Sequence, residues 1–291
     1  MRIGITGVSG LIGRHVARLA RERGHAVIGF TRKPARGDPN SRLFDLENAP
    51  DVSGCDAILN LAGQSVATLW TASKRRAIRE SRVLGTRRIV EAIRKADKPP
   101  AVLVNGSATG IYGDTGDEEA DEVAAHGSGF LTDVCNEWEQ EALAVREAGV
   151  RVALLRTGIV LAREGGALAA MLPIFRLGLG GELGDGRQWM SWIHIEDEAA
   201  LALYLIENPG LDGAVNATAP EPVRNADYTK MLAEALHGPA FLRVPALALR
   251  VALDGFATEL LESRRVVPSA ATRAGFAFRF AGLREALADL L

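Results

Sequence analysis

The sequence predicts an α/β fold in which a doubly wound parallel sheet carries a small C-terminal lobe. Three observations lead there. Short β-branched runs alternate with longer amphipathic stretches through the first two thirds of the chain, the rhythm of βαβ units around a parallel sheet. Glycines recur at fixed spacing straight after the first apolar run. Past about residue 160 the rhythm gives way to glycine-rich and proline-punctuated segments, which suit a lobe assembled from insertions and the C-terminal tail.

Taken in order, strands are expected near 2–6, 26–31, 56–61, 101–105 and 151–156, with a further short one before Asp45. The stretch 11–23 sets Ile12, Val16, Leu19 and Ala20 on one helical face and turns Arg14, Arg18, Arg21 and Glu22 away. Gly24 ends that helix. A long helix begins near Thr71 and places Lys74, Ile78 and Arg82 on one face. Residues 1–160 are expected to form the nucleotide-binding unit, with later segments returning to it, and 161–291 to mix substrate-lobe and C-terminal extension segments.

A chain of 291 residues with 47% hydrophobic content can bury a substantial core. The formal net charge of −2 with interspersed signs offers no basic stripe, so nucleic acid is not an expected partner. The opening MRIGITGVSGLIG is broken by four glycines and lacks the plan of a signal peptide. No run approaches the roughly 18 apolar residues of a spanning helix. Cys55 and Cys135 cannot make a disulfide framework. A cytoplasmic protein without a membrane partner is expected, as monomer or homodimer.

Gly7, Gly10 and Gly13 lie in a G-x-x-G-x-x-G spacing after a strand and at the start of a helix, the context of a Rossmann-type dinucleotide loop. There the backbone approaches a pyrophosphate whose charge meets unpaired N–H groups at the helix N-terminus. Thr6, Ser9, Leu11 and Ile12 are the cofactor-facing neighbours; the other reading is an ordinary glycine-rich turn. The second strand ends in Thr31, Arg32 and Lys33 where an acidic residue would favour NAD(H). A guanidinium fork and an ammonium suit a 2′-phosphate, which favours NADP(H) over a merely solvated basic turn. Asp45 and Leu46 are placed to meet the adenine. Leu61, Ala62 and Gly63 either let backbone pass close to the cofactor or form a plain strand-end turn.

The segments TGVSGLIG, NLAG, SATGIYG, LRTGIVL and WIHIEDEA occur in the order seen in extended short-chain dehydrogenase/reductase proteins. More narrowly, CNEWE, GRQWMSWIHIED and the tail RRVVPSAATRAGFAFRF resemble the atypical branch called epimerase family protein, sugar nucleotide epimerase-like, with its own C-terminal extension. The resemblance implies a Ser, Tyr and Lys set supported by an asparagine. Ser107 stands in the serine position. The window for Tyr and Lys reads Leu131 to Cys135, in a register set by Glu139, and Arg82 matches the asparagine. Tyr112 is a nearby phenol or a cofactor-loop residue, and Cys135 a nucleophile or a small buried hydrophobe.

Arg187, Gln188, Trp189 and Trp192 fall where the wider family holds a nucleotide-linked substrate. The tryptophans serve there or as core anchors. His194 and Asp197 are expected to cap and orient the next helix, and no metal motif is present. Two functions remain open: an NADP(H)-dependent oxidoreductase or epimerase acting on a small or nucleotide-linked substrate, and a non-catalytic NADP(H)-binding regulator.

Overall fold

The computed structural model describes residues 1–291. Its central sheet contains β1 (Arg2–Thr6), β2 (Ala26–Thr31), β3 (Ser41–Leu43), β4 (Ala57–Asn60), β5 (Val102–Ala108), β7 (Arg151–Thr157) and β12 (Gly213–Ala217). Four short pairs lie outside it. They are β6 (Glu119–Ala120) with β15 (Arg265–Val266), and β8 (Ile159–Ala162) with β11 (Trp192–His194). The others are β9 (Gly181–Leu183) with β14 (Leu242–Val244), and β10 (Trp189–Met190) with β13 (Val223–Arg224).

Helices α1 (Leu11–Glu22), α2 (Ala72–Lys95), α3 (Phe130–Leu143), α4 (Gly166–Arg176) and α5 (Ile195–Glu207) follow the strands in turn. The last third adds α6 (Asn225–Ala235), α7 (Ala246–Leu253), α8 (Phe256–Leu261), α9 (Ser269–Arg273) and α10 (Leu283–Leu290). The sheet runs β12-β7-β5-β4-β1-β2-β3, all pairs parallel. Strand order reverses between β1 and β4, which opens a crevice at their C-terminal ends.

Both faces of this sheet are covered, which is why its strands read as apolar runs rather than as alternation. On one face Val16, Ala17 and Ala20 of α1 join Leu201 and Leu205 of α5 over Ile3, Ile5, Leu59 and Val104. On the other, Ile89, Val90 and Ile93 of α2 cover Ile28, Ile58, Leu103 and Leu154. A third cluster, with Leu172, Phe175, Trp192, Tyr228, Leu232 and Leu287, is the core of the C-terminal lobe.

The five expected strands are all present, with β5 running on to Ala108 and β12 returning late in the chain to the sheet edge. Three successive acids open α5. Glu196 accepts from His15 and Arg18 of α1 at 2.9 and 2.6 Å. Asp197 accepts the backbone N–H groups of Arg279 and Phe280, both at 2.9 Å. Glu198 accepts from the Thr157 hydroxyl at 2.8 Å. His194 is the N-cap, its Nδ1 accepting from the Glu196 N–H. No helix is long and apolar enough to cross a membrane.

Candidate functional site

The crevice is built first by glycine. Gly7 has φ +66°, and a Cβ there would stand 3.0 Å from the Leu61 carbonyl oxygen. A Cβ on Gly13 would come within 2.2 Å of the Gly7 oxygen, so this position packs helix on strand. Gly10 is the N-cap of α1, with φ −73° and no side-chain cap. The first amides of α1 are thus left without an intrahelical acceptor, which fits an anion.

Thr6 sits under this cradle and is fully buried. Its hydroxyl donates to Asn60 Oδ1 at 2.6 Å and accepts the N–H groups of Leu61 and Ala62, each at 3.0 Å. Those contacts occupy the hydroxyl, so the Thr6 side chain shapes the Leu61–Ala62–Gly63 turn. Asn60 Nδ2 donates in turn to Thr86 and Asn105 at 2.8 and 2.7 Å, and Trp138 Nε1 donates to Thr86 at 2.8 Å. This buried network ties the ends of β1, β4 and β5 to α2 and α3. It joins residues far apart in sequence, and only the apolar neighbours of Asn60 and Asn105 hint at it.

Arg32 and Lys33 are exposed beyond the end of β2, and the Thr31 hydroxyl accepts the Lys33 N–H at 3.3 Å. Asp45 follows β3 in a turn of its own making. Its Oδ1 accepts the N–H groups of Glu47 and Asn48 at 2.9 and 2.8 Å, and the Asn48 bond leads in holding its carboxyl below the usual range. Leu46 is partly exposed beside Gly85.

Ser107 is buried and donates to Glu139 Oε1 at 2.6 Å. Glu139 is gripped by Arg156 through two bonds of 2.8 and 2.9 Å. A carboxylate held this way only accepts, so the Ser107 proton points at it and the hydroxyl lone pairs remain free. Arg156 also donates to the Tyr112 hydroxyl at 2.8 Å, and Tyr112 donates to Asn216 at 2.7 Å. Burial raises the Tyr112 phenol above its usual value, against the pull of Arg156. Cys135 is buried, and desolvation pushes its thiol up to about 12, which leaves almost no thiolate near neutral pH. Leu131, in the tyrosine window, packs on Gly110.

Arg82 lies beside the turn after β4, its guanidinium 3.1–3.2 Å from where a Gly63 Cβ would stand and 5.2 Å from the Trp138 ring centroid. One of its nitrogens donates to the Gln64 and Ile78 carbonyls at 2.9 and 3.2 Å. No carboxylate pairs with it. Desolvation lowers its pKa, and the nearby Cys135 opposes that shift.

The substrate-side residues divide. Trp192 is fully buried and donates to the Glu221 carbonyl at 3.0 Å, so it is a core anchor and not a substrate contact. Gln188 is buried with Nε2 donating to the Leu183 and Leu260 carbonyls, both at 3.1 Å, which commits it to packing the lobe. Trp189 is half-buried between Arg224 and Arg265, whose guanidinium carbons lie 4.6 and 5.0 Å from its ring. Arg187 is exposed.

A parallel sheet with a glycine cradle at its strand-order reversal defines a nucleotide-cofactor-binding protein of the Rossmann class. The chain belongs to the NAD dependent epimerase/dehydratase family, whose model matches residues 3–217. A second model, a domain of unknown function (DUF1731), matches residues 244–290. Epimerase family protein Mb2239 of Mycobacterium bovis is 41% identical over 98% of this chain and 96% of its own. The chloroplastic epimerase family protein SDR39U1 homolog of Arabidopsis thaliana is 36% identical over 100% and 87%. The crystal structure of human epimerase family protein SDR39U1 (isoform2) with NADPH superposes with a TM-score of 0.94 at 32% identity, over 100% of this chain and 99% of that one.

Proposed function

We propose that the chain is an NADP(H)-dependent oxidoreductase in which Ser107 contacts the reacting oxygen and Arg82 supplies the fixed positive charge of the missing lysine. The carrying observation is Arg82, an unpaired guanidinium on the Trp138 ring next to Gly63. Gly106, adjacent to Ser107, abuts the edge of the same ring, and on this reading the two groups flank one site. Arg32 and Lys33 are the residues that would hold a 2′-phosphate, and the bound cofactor would supply the hydride. Ser107 would offer lone pairs to a substrate hydroxyl, the remaining Arg82 N–H groups would stabilise a carbonyl oxygen as negative charge grows on it, and water would protonate the resulting alkoxide. The complex of a relative with NADPH supports the cofactor choice.

Titration with NADPH and NADH tests the first half. NADPH should bind at least about tenfold more tightly, roughly 1.4 kcal/mol, and Arg32→Ala should erase the difference. In single-turnover hydride transfer, Ser107→Ala and Arg82→Met should each slow chemistry by about thirty- to a thousandfold. Tyr112→Phe and Cys135→Ala should change it little. Equal affinities would refute the cofactor assignment, and unchanged turnover in Arg82→Met would refute the role of that arginine. The buried thiol of Cys135 and the engaged phenol of Tyr112 favour a second reading, a non-catalytic NADP(H)-binding regulator. NADPH binding without turnover of any carbonyl compound would support it.

A further inference from the structure

A cleft of about 240 Å³ opens between the start of α3 and α8. Leu131 and Gly110 line one side, and Glu259 and Glu262 bring the C-terminal segment to the other. Arg75 stands at the aromatic end, its guanidinium carbon 5.7 Å from the Trp70 ring centroid and 5.6 Å from that of Phe130. Its Nε donates to the Trp70 carbonyl at 3.1 Å.

Charge pairing along α2 is uneven. Arg79 is paired with Glu137, Arg87 with Glu141 and Arg94 with Glu147. Arg75 has no carboxylate partner, as is also true of Lys74, Arg76 and Arg82, and among these Arg75 is the one that lines the cleft. Across the cleft Arg264 is shared by Glu259, at 2.8 Å, and Glu262, so one cation serves two carboxylates there. The cleft therefore presents an unpaired cation beside two rings at one end and surplus negative charge at the other. Its volume falls below the roughly 300–1,000 Å³ of pockets for drug-sized ligands, too small for a nucleotide-linked sugar.

We propose that this cleft binds a small aromatic acid, its anionic group on the Arg75 fork and its ring against Phe130. A guanidinium is weakly hydrated and matches a carboxylate in two parallel bonds. The surplus carboxylates opposite select a hydroxyl donor over a second anion. Ser107 and Arg82 do not line this cleft, so the inference is one of binding and stands apart from the oxidoreductase reading above.

The test is calorimetric titration of the full-length protein, saturated with NADP⁺, using benzoylformate, mandelate and the uncharged methyl benzoylformate. The two acids should bind at least about tenfold more tightly than the ester. Arg75→Gln should remove that preference and Arg75→Lys retain part of it, with NADPH affinity and the melting transition unchanged in both. Equal affinity for acid and ester, a preference that survives Arg75→Gln, or no binding of either acid at millimolar concentration would overturn the proposal.

Discussion

Glu198 has no solvent exposure, and its second carboxyl oxygen lacks any hydrogen-bond partner. Burial pushes its pKa up to about 8 from an ordinary value of 4.5. Between those values the unfolded chain has released this proton while the folded chain keeps it, so the folded state binds more protons and stability falls as pH rises. Glu198→Gln keeps the shape without the charge. The variant should gain on the order of 1–3 kcal/mol over the parent at about pH 9, and the gain should vanish near pH 4. Urea unfolding at the two pH values checks this, and a constant difference would show that Glu198 titrates alike in the folded and unfolded chains. Nothing in the sequence separates this glutamate from its neighbours, because three acids in a first helical turn read simply as favourable to the helix dipole. Trp192 was ambiguous for a similar reason: an indole suits a core and a ligand equally until its exposure is known.

At the scale of elements, the first βα turn was legible because glycine spacing, strand and helix agree. The structure divides the labour among its glycines. Gly13 has no room for a methyl group against the Gly7 carbonyl, whereas a Cβ on Gly10 would stand 3.1 Å from the same oxygen, a tight contact that a small shift relieves. Gly13→Ala should therefore lower stability by about 2 kcal/mol or more through overpacking. Gly10→Val should fold and lose cofactor binding, since its branches point where a pyrophosphate would lie. Thermal melts with NADPH titration separate the two, and undiminished NADPH affinity in a folded Gly10→Val protein would make the loop an ordinary turn. Less legible were β12, whose GAVNA run is too short to show a period, and the Asn60–Thr86–Asn105–Trp138 network, which only folding brings together.

Across the whole molecule, the segment after α8 is held to the sheet domain by named bonds as well as by packing. The clearest is the Asp197 carboxylate, which takes two N–H groups from the tail, while His194 stacks on Phe280 with ring centroids 3.9 Å apart. Asp197→Ala would strand those donors and should cost about 2–4 kcal/mol. Amide exchange should then quicken over residues 276–290, and unchanged protection would assign the docking to the apolar contacts alone. The sequence marked the tail as a distinct segment but could not show its attachment, because the partners lie some eighty residues apart.

The acids that open α5 have one further consequence. Consecutive residues of an α-helix point about 100° apart, and Glu196, Asp197 and Glu198 use those directions to hold α1, the tail and β7. The helix is keyed like a lock cylinder with three pins. A slip of one residue would withdraw all three at once, detaching the helix beneath the cofactor loop, the C-terminal segment and the strand end together. An insertion or deletion just ahead of Glu196 is thus a change to the whole assembly, however small it looks in the chain, whereas the exposed turn after β2 can change length without disturbing any of these attachments.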